Sequence, residues 1–173
     1  MWLDLVNSQH WDGFGKLTDH LRNPSWVRQF LGYWTVHPRG GLPSTFSELG
    51  HLRSTLRQMA ERIAAGHRAS IREVRKLNAI LKEPGYQQIV REGDKLRLEL
   101  TPVRSDWAWL RSRIAESFGE LVIRDQDNRI KICPDPGCRW VFFDLTRGNT
   151  RRWCNDRRCG NRDRVRRARA RRR

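Results

Sequence analysis

The chain is poor in cysteine, with four in 173 residues, and none occurs before Cys133. The first three-quarters of the protein therefore offers neither a disulfide nor a thiolate metal site. Long apolar runs are also missing, and none approaches the roughly 18 residues of a membrane-spanning helix. The opening Met1-Trp2-Leu3-Asp4 has neither the basic nor the apolar region of a secretory signal. A cytoplasmic protein with no membrane partner is expected, with its thiols reduced. The histidines at 10, 20, 37, 51 and 67 fall at no metal-ligand spacing. No nucleophile–base arrangement stands out, and no glycine-rich loop has phosphate-cradling spacing, so nothing marks an enzyme. Acidic residues are scarce, 19 against 35 basic ones.

The resulting charge of +16 is unevenly placed. Residues 147–173 hold 13 arginines against Asp156 and Asp163, so +11 falls on the last 27 residues. Such asymmetry points to a polyanion partner at one end of the molecule. A hydrophobic content of 38% still permits a core, and the length suits one ordinary domain plus a small module.

Periodicity makes the first part mainly helical with one β-hairpin. Leu17 to Leu21 reads as a short helix stopped by Asn23-Pro24, and Ser25 as the cap of a second carrying Trp26, Phe30 and Leu31. Thr45-Phe46-Ser47-Glu48 is a capping-box pattern ahead of Leu49, Leu52, Leu56, Met59, Ala60 and Ile63 at helical spacing, with Gly66 as the stop. Ser70-Ile71-Arg72-Glu73 repeats that pattern before Val74, Leu77, Ile80 and Leu81. The period then changes to two: Leu96, Leu98 and Leu100 alternate with polar residues, 87–91 is the partner strand, and Gly93-Asp94 is the turn. Ser105 precedes a helix with Trp107, Leu110, Ile114, Phe118 and Leu121 on one face. Asp4 and Asn7 are expected to satisfy buried backbone groups near the first helix, with ligand contacts in a sensory pocket as the alternative, and Asn78 is expected to bond a neighbouring loop. Residues 1–124 read as one helical regulatory or sensory domain. The polar stretch 125–128 reads as a hinge into a second unit, 129–173.

That unit carries the chemistry. Cys133 and Cys138 are separated by four residues, Cys154 and Cys159 by four, and the pairs by fifteen. Two close pairs a short loop apart can surround a tetrahedral ion with thiolates, the soft ligands zinc prefers. One structural zinc is expected, with an iron–sulfur cluster, structural disulfides or inert free thiols as alternatives. A closed four-thiolate shell leaves no position for activated water. Pro134-Asp135-Pro136-Gly137 suits a tight knuckle whose amides point at thiolates. A short strand, 140–143, follows, and Trp140 and Trp153 are expected as the unit's small core. After Cys159, Gly160 is expected at positive φ and Asn161 as the cap of a basic helix running to Arg173. Asp163 is expected to pair with Arg167, and Val165 and Ala168 to lean on the knuckle. Arg162, Arg166, Arg169 and Arg173 share one face, and Arg164, Arg167 and Arg171 the neighbouring one. Arginine forks suit phosphates and guanine edges.

The residues Cys159-Gly160-Asn161-Arg162 spell a signature, and the chain here resembles the CGNR zinc finger family. Trp140 through Arg147 and Arg151-Arg152-Trp153-Cys154 are similar to the same finger. Leu3-Asp4-Leu5-Val6-Asn7 and Leu77-Asn78-Ala79-Ile80-Leu81 resemble landmarks of the ABATE domain that accompanies it. The resemblance implies a bacterial, stress-induced transcription regulator that binds duplex DNA, with Cys133, Cys138, Cys154 and Cys159 on zinc. Arg147, Arg151, Arg152, Arg157, Arg158, Arg162, Arg164, Arg166, Arg167 and Arg169 are the candidate nucleic-acid contacts. The N-terminal domain would sense a signal or dimerise, and the protein would associate with the nucleoid. Rival readings are an RNA-binding or ribosome-associated zinc protein and a zinc-stabilised protein-interaction adaptor. Two departures from the family pattern stand out: Asn155-Asp156-Arg157-Arg158 is more charged, and Arg164 replaces a lysine.

Overall fold

A computed structural model describes residues 1–124 and 128–172. Of the expected hinge, 125–127 lie outside the described residues. The chain runs α1 (Trp2–Asn7), β1 (Gln9–Trp11), β2 (Leu17–Asp19), a 3-10 turn (His20–Arg22), α2 (Pro24–Tyr33), α3 (Ser47–Ala64), α4 (Ile71–Ile80), β3 (Gly85–Glu92), β4 (Lys95–Pro102), α5 (Trp107–Arg124), β5 (Ile130–Ile132), β6 (Val141–Phe143), a π turn (Asp156–Gly160) and α6 (Asn161–Ala170). The strands form three antiparallel two-stranded sheets, β1 with β2, β3 with β4 and β5 with β6. The fold is mainly α with small hairpins, and its four cysteines gather in the C-terminal part.

The main core follows the helical periods. Leu49, Leu52, Leu56, Met59, Ala60 and Ile63 of α3 are buried, as are Leu110, Ile114 and Phe118 of α5. Helix α1 inserts between these helices through Trp2, Leu5 and Val6, and the Trp2 ring meets Phe118 edge-on at 4.9 Å. The Ser70–Glu73 capping box is complete, each side chain bonding the other's backbone N–H. Helix α3 differs: Phe46 stands at its N-cap and no side chain caps it, because Thr45 and Ser47 face each other instead. Helix α2 is capped by Asn23, with Pro24 in the first turn where its missing N–H costs nothing. Asn78 is exposed rather than bonded to a loop.

Hairpin β3–β4 pairs Glu92 with Lys95, leaving Gly93-Asp94 as the two-residue loop with Gly93 at φ +62°. The region 17–21 is a strand and a 3-10 turn, not the helix expected there. Its one carboxylate is claimed from outside: Arg53 of α3 donates two bonds to the Asp19 side chain, at 2.6 and 2.9 Å, and the same side chain caps the 3-10 turn. Arg53 is buried and also reaches Ser8. A paired, hydrogen-bonded guanidinium is one of the few ways to bury an arginine.

The β5–β6 hairpin packs on this helical core, and Ile130 and Val141 belong to the same buried cluster as Leu56 and Phe118. One side chain joins the two ends of the sequence. Asn7 Nδ2 donates to the Val141 carbonyl at 2.8 Å, and Asn7 Oδ1 accepts from the Val141 amide at 2.9 Å. Asn7 thus extends the strand's hydrogen-bond edge like a neighbouring backbone. It satisfies a buried backbone group as expected, but 134 residues away.

Candidate metal centre and nucleic-acid interface

The four cysteine sulfurs all lie within 4.8 Å of one another, and none is in a disulfide. Cys138 and Cys154 Sγ are 3.5 Å apart, and Cys154 and Cys159 3.6 Å. Tetrahedral zinc with bonds of about 2.3 Å requires sulfurs about 3.8 Å apart, so the cluster has the dimensions of the ion. The electrostatics agree. The thiols of Cys138 and Cys154 hydrogen-bond to Cys133 and hold it well below the ordinary thiol range. Cys138 and Cys154 are pushed up in turn by Cys133, and burial pushes Cys159 up to about 12. One thiolate forms readily here. Four can coexist only around a cation, and the donor set suits one structural zinc whose shell is filled by protein.

A second layer holds this layer. Asp144 is fully buried. It accepts from Lys131 Nζ (2.6 Å), Thr146 Oγ1 (2.6 Å), and the amides of Thr146 and Arg151 (both 2.8 Å). Burial would raise its pKa, but these donors outweigh it and hold the carboxyl well below its ordinary value. Asp144 thereby fixes the 144–151 loop that leads into the second cysteine pair. The Trp140 and Trp153 rings pack against the cysteine cluster, as expected of a small core.

Asp135, inside the first cysteine pair, is also fully buried. Arg162 Nε donates to its Oδ2 at 2.6 Å, Arg166 Nη1 to its Oδ1 at 2.9 Å, and the Gly137 amide to Oδ1 at 3.3 Å. Burial pushes Asp135 up, yet Arg166 and Arg162 hold it below the usual carboxylate range. Arg162 also reaches Cys159 Sγ at 3.2 Å, so one guanidinium touches a metal ligand and the knuckle's carboxylate. This outer support orients a metal ligand. Helix α6 therefore docks on the knuckle through charge. The expected apolar contact is absent: Val165 is 49% exposed and no residue of α6 is buried.

Gly160 corrects a second expectation. Its φ is −63°, ordinary helical backbone, and the helix starts without a side-chain cap. A Cβ there would lie 3.3 Å from Trp153 Cδ1 and almost on Asp156 Oδ1. The glycine is a matter of room. Asn155 caps the π turn by accepting from the Arg158 amide, while Asn161 donates to the Arg157 carbonyl at 2.7 Å.

The candidate arginines fall into three groups. Arg162 and Arg166 face Asp135, Arg167 pairs with Asp163 at 2.7 Å as expected, and Arg164 pairs with Asp156 at 3.2 Å. Asp156 belongs to the charged 155–158 stretch that departs from the family pattern, Arg164 is the other departure, and here they meet. Arg151 bonds the Trp153 carbonyl and lies over the Phe142 ring, and Arg152 lies over Trp153. Arg147, Arg157, Arg158 and Arg169 are exposed and pair with no acid among the described residues. Asp135, Asp144 and Asn7 carry the architecture of the site, yet no spacing in the sequence singles them out.

Residues 129–172 match the zf-CGNR model, described as a CGNR zinc finger. Residues 1–125 match ABATE, described as "Putative stress-induced transcription regulator". No curated protein matches the chain. Both matched families are regulatory or zinc-finger types, and no helix among the described residues is long and apolar enough to cross a membrane. With the first family model spanning most of its length and the finger completing it in the same order, the chain belongs to the ABATE family and carries a C-terminal CGNR zinc finger.

Proposed function

We propose that this protein is a transcription regulator acting in the cytoplasm on duplex DNA. The zinc knuckle presents α6 to the nucleic acid, and residues 1–124 form the domain that receives a signal. One observation carries the reading. The helix is tied at its start by Cys159 and, through Arg162 and Arg166, by Asp135, while Arg157, Arg158 and Arg169 are exposed and pair with no acid among the described residues. Fixed positive charge on a small rigid module is suited to a phosphate backbone, because counterion release favours it and little ordering is lost. In this reading Arg147, Arg152, Arg157, Arg158 and Arg169 contact phosphates. Arg164 and Arg167, each tied to a single acid, can turn a fork toward a base edge. Arg162 and Arg166 position the helix. The closed thiolate shell assigns the zinc no catalytic step.

The test is binding of zinc-loaded protein to duplex DNA across a salt series. With about five phosphates neutralised, log K falls against log salt with a slope of roughly −4 to −5. Selection from a random duplex pool then yields an enriched motif, and a palindrome in it indicates a dimer. Cys159→Ser abolishes both metal retention and DNA binding. A flat salt dependence, or a clear preference for structured RNA at matched salt, would overturn the DNA reading.

A further inference from the structure

A second site lies far from the arginines. Trp26, Phe30 and Tyr33 follow one another at positions i, i+4 and i+7 of α2, so they share a helix face. Trp34, at the end of that helix, completes the group. The rings are set in different planes: Trp26 and Phe30 stack at 5.5 Å and 17°, whereas Tyr33 and Trp34 meet edge to face at 5.2 Å and 85°. Together with Asp4 and Gln29 they line an open cavity of about 260 Å³. Asp4 Oδ2 accepts from Trp34 Nε1 at 2.9 Å. Among the described residues its Oδ1 takes no hydrogen bond and Asp4 is in no ion pair, and its charge is felt by the half-buried Met1 amino group.

Aromatic rings around one carboxylate form a surface with one chemical preference. Ring faces are negative, a carboxylate adds a full charge, and none of the lining residues is basic. Anions are repelled. A small metal ion would be hydrated and would find a single carboxylate. A quaternary ammonium is weakly hydrated and apolar on its outside, so it can lose water against the rings and keep its charge beside Asp4. We propose that the Asp4–Trp34 cavity binds a small organic solute bearing a trimethylammonium group. The Trp34 indole N–H positions the Asp4 carboxylate, and Tyr33, 78% exposed, stands at the rim of the cavity. The Trp26 ring also stacks on His20, which adjoins His10, whose ring meets Trp140 of the finger at 5.2 Å. The cage therefore stands at the end of an aromatic column that reaches the zinc module. This ligand class rests on the signal-receiving reading only for its regulatory meaning.

The experiment uses zinc-loaded full-length protein without DNA, so its result is independent of nucleic-acid binding. Choline and its neutral isostere 3,3-dimethylbutan-1-ol are titrated at constant ionic strength, with the Trp34 indole N–H resonance as the readout, assigned by Trp34→Phe. Choline is expected to shift that resonance saturably in the millimolar range or below, and at least about tenfold more tightly than the isostere. Asp4→Asn and Tyr33→Ala, both at exposed positions that leave the core intact, are each expected to weaken choline by roughly three- to tenfold. Equal binding of the isostere, no saturable shift, or unchanged affinity in both variants would overturn the proposal. Tighter binding of a trimethyllysine peptide than of choline would refute a free solute as the ligand.

Discussion

Replacing Asp135 by asparagine keeps the size of a buried side chain and removes its charge. Three charged contacts converge there: Arg162 through Nε and Nη2, and Arg166 through Nη1. The asparagine amide has only one acceptor oxygen, so one arginine must face an NH2 donor instead. A hydrogen bond to a charged group is worth about 1.5–3 kcal/mol, and losing the carboxylate affects more than one. The arginines are not fully buried, with side chains 26% and 43% exposed, so water recovers part of the loss. The expected cost is about 2–3 kcal/mol, well above a typical surface pair. Denaturant unfolding of zinc-loaded protein, followed by tryptophan fluorescence, measures it, with metal content checked in parallel. All four cysteines remain, so zinc is retained. The variant gains positive charge at the helix base, so its affinity for random duplex at low salt should not fall through lost attraction. A change below about 0.5 kcal/mol with zinc bound would refute the clamp. A coupling near zero between Asp135→Asn and Arg162→Gln in a double-mutant cycle would also refute it.

Asn7→Ala removes both bonds to Val141 and leaves a buried N–H and carbonyl unpaired; about 2–4 kcal/mol of stability should be lost, read by thermal or denaturant unfolding. Gly160→Ala made in an Asp156→Ala background should change stability by less than about 1 kcal/mol, because the backbone there is helical and the nearest obstacle is gone. A larger cost in equilibrium unfolding would return the glycine to a conformational role. Gly137→Ala should be worse, by about 1–3 kcal/mol, since its Cβ would press on the backbone of Gly13 at 3.0 Å. For pH, Asp135 and Asp144 both have lowered folded-state values. Their contribution is complete above the unfolded carboxylate value of about 3.9 and is lost as pH falls through the folded values. Unfolding midpoints measured from pH 7 downward should therefore fall more gently in Asp144→Asn than in the parent protein.

Much of the molecule was legible in the linear chain, because the relevant physics is local or periodic. The apolar periods of α3 and α5, the Ser70–Glu73 box and the Gly93-Asp94 turn depend on residues a few positions apart. The cysteine spacing is equally local, since each pair needs only a tight knuckle to aim two sulfurs at one point. The Asp163–Arg167 pair is one helical turn. Where long-range partners compete, the local reading gave way. Leu17 to Leu21 has a helical look, but Arg53 claims Asp19 and the segment becomes a strand and turn. Thr45 resembles a cap, yet α3 starts at Ser47 with none. Gly160 resembles a positive-φ residue, yet Trp153 and Asp156 crowd it from the side.

The sequence by itself determined the four-cysteine set, the apolar faces of α3 and α5 and the placement of charge at one end, since composition and short spacings suffice for these. Only the tertiary structure decided which arginines face inward. Arg162 and Arg166 look like any others in an arginine-rich tail, and the carboxylate that turns them lies 27 and 31 residues earlier. It likewise decided that Asn7 serves a strand 134 residues away, and that three aromatic side chains of α2, with Trp34 just after it, share a cavity with Asp4. These are pairings of single groups across long loops. Their energy depends on a distance of about 3 Å in a buried place, and no pattern of residue types along the chain encodes that distance.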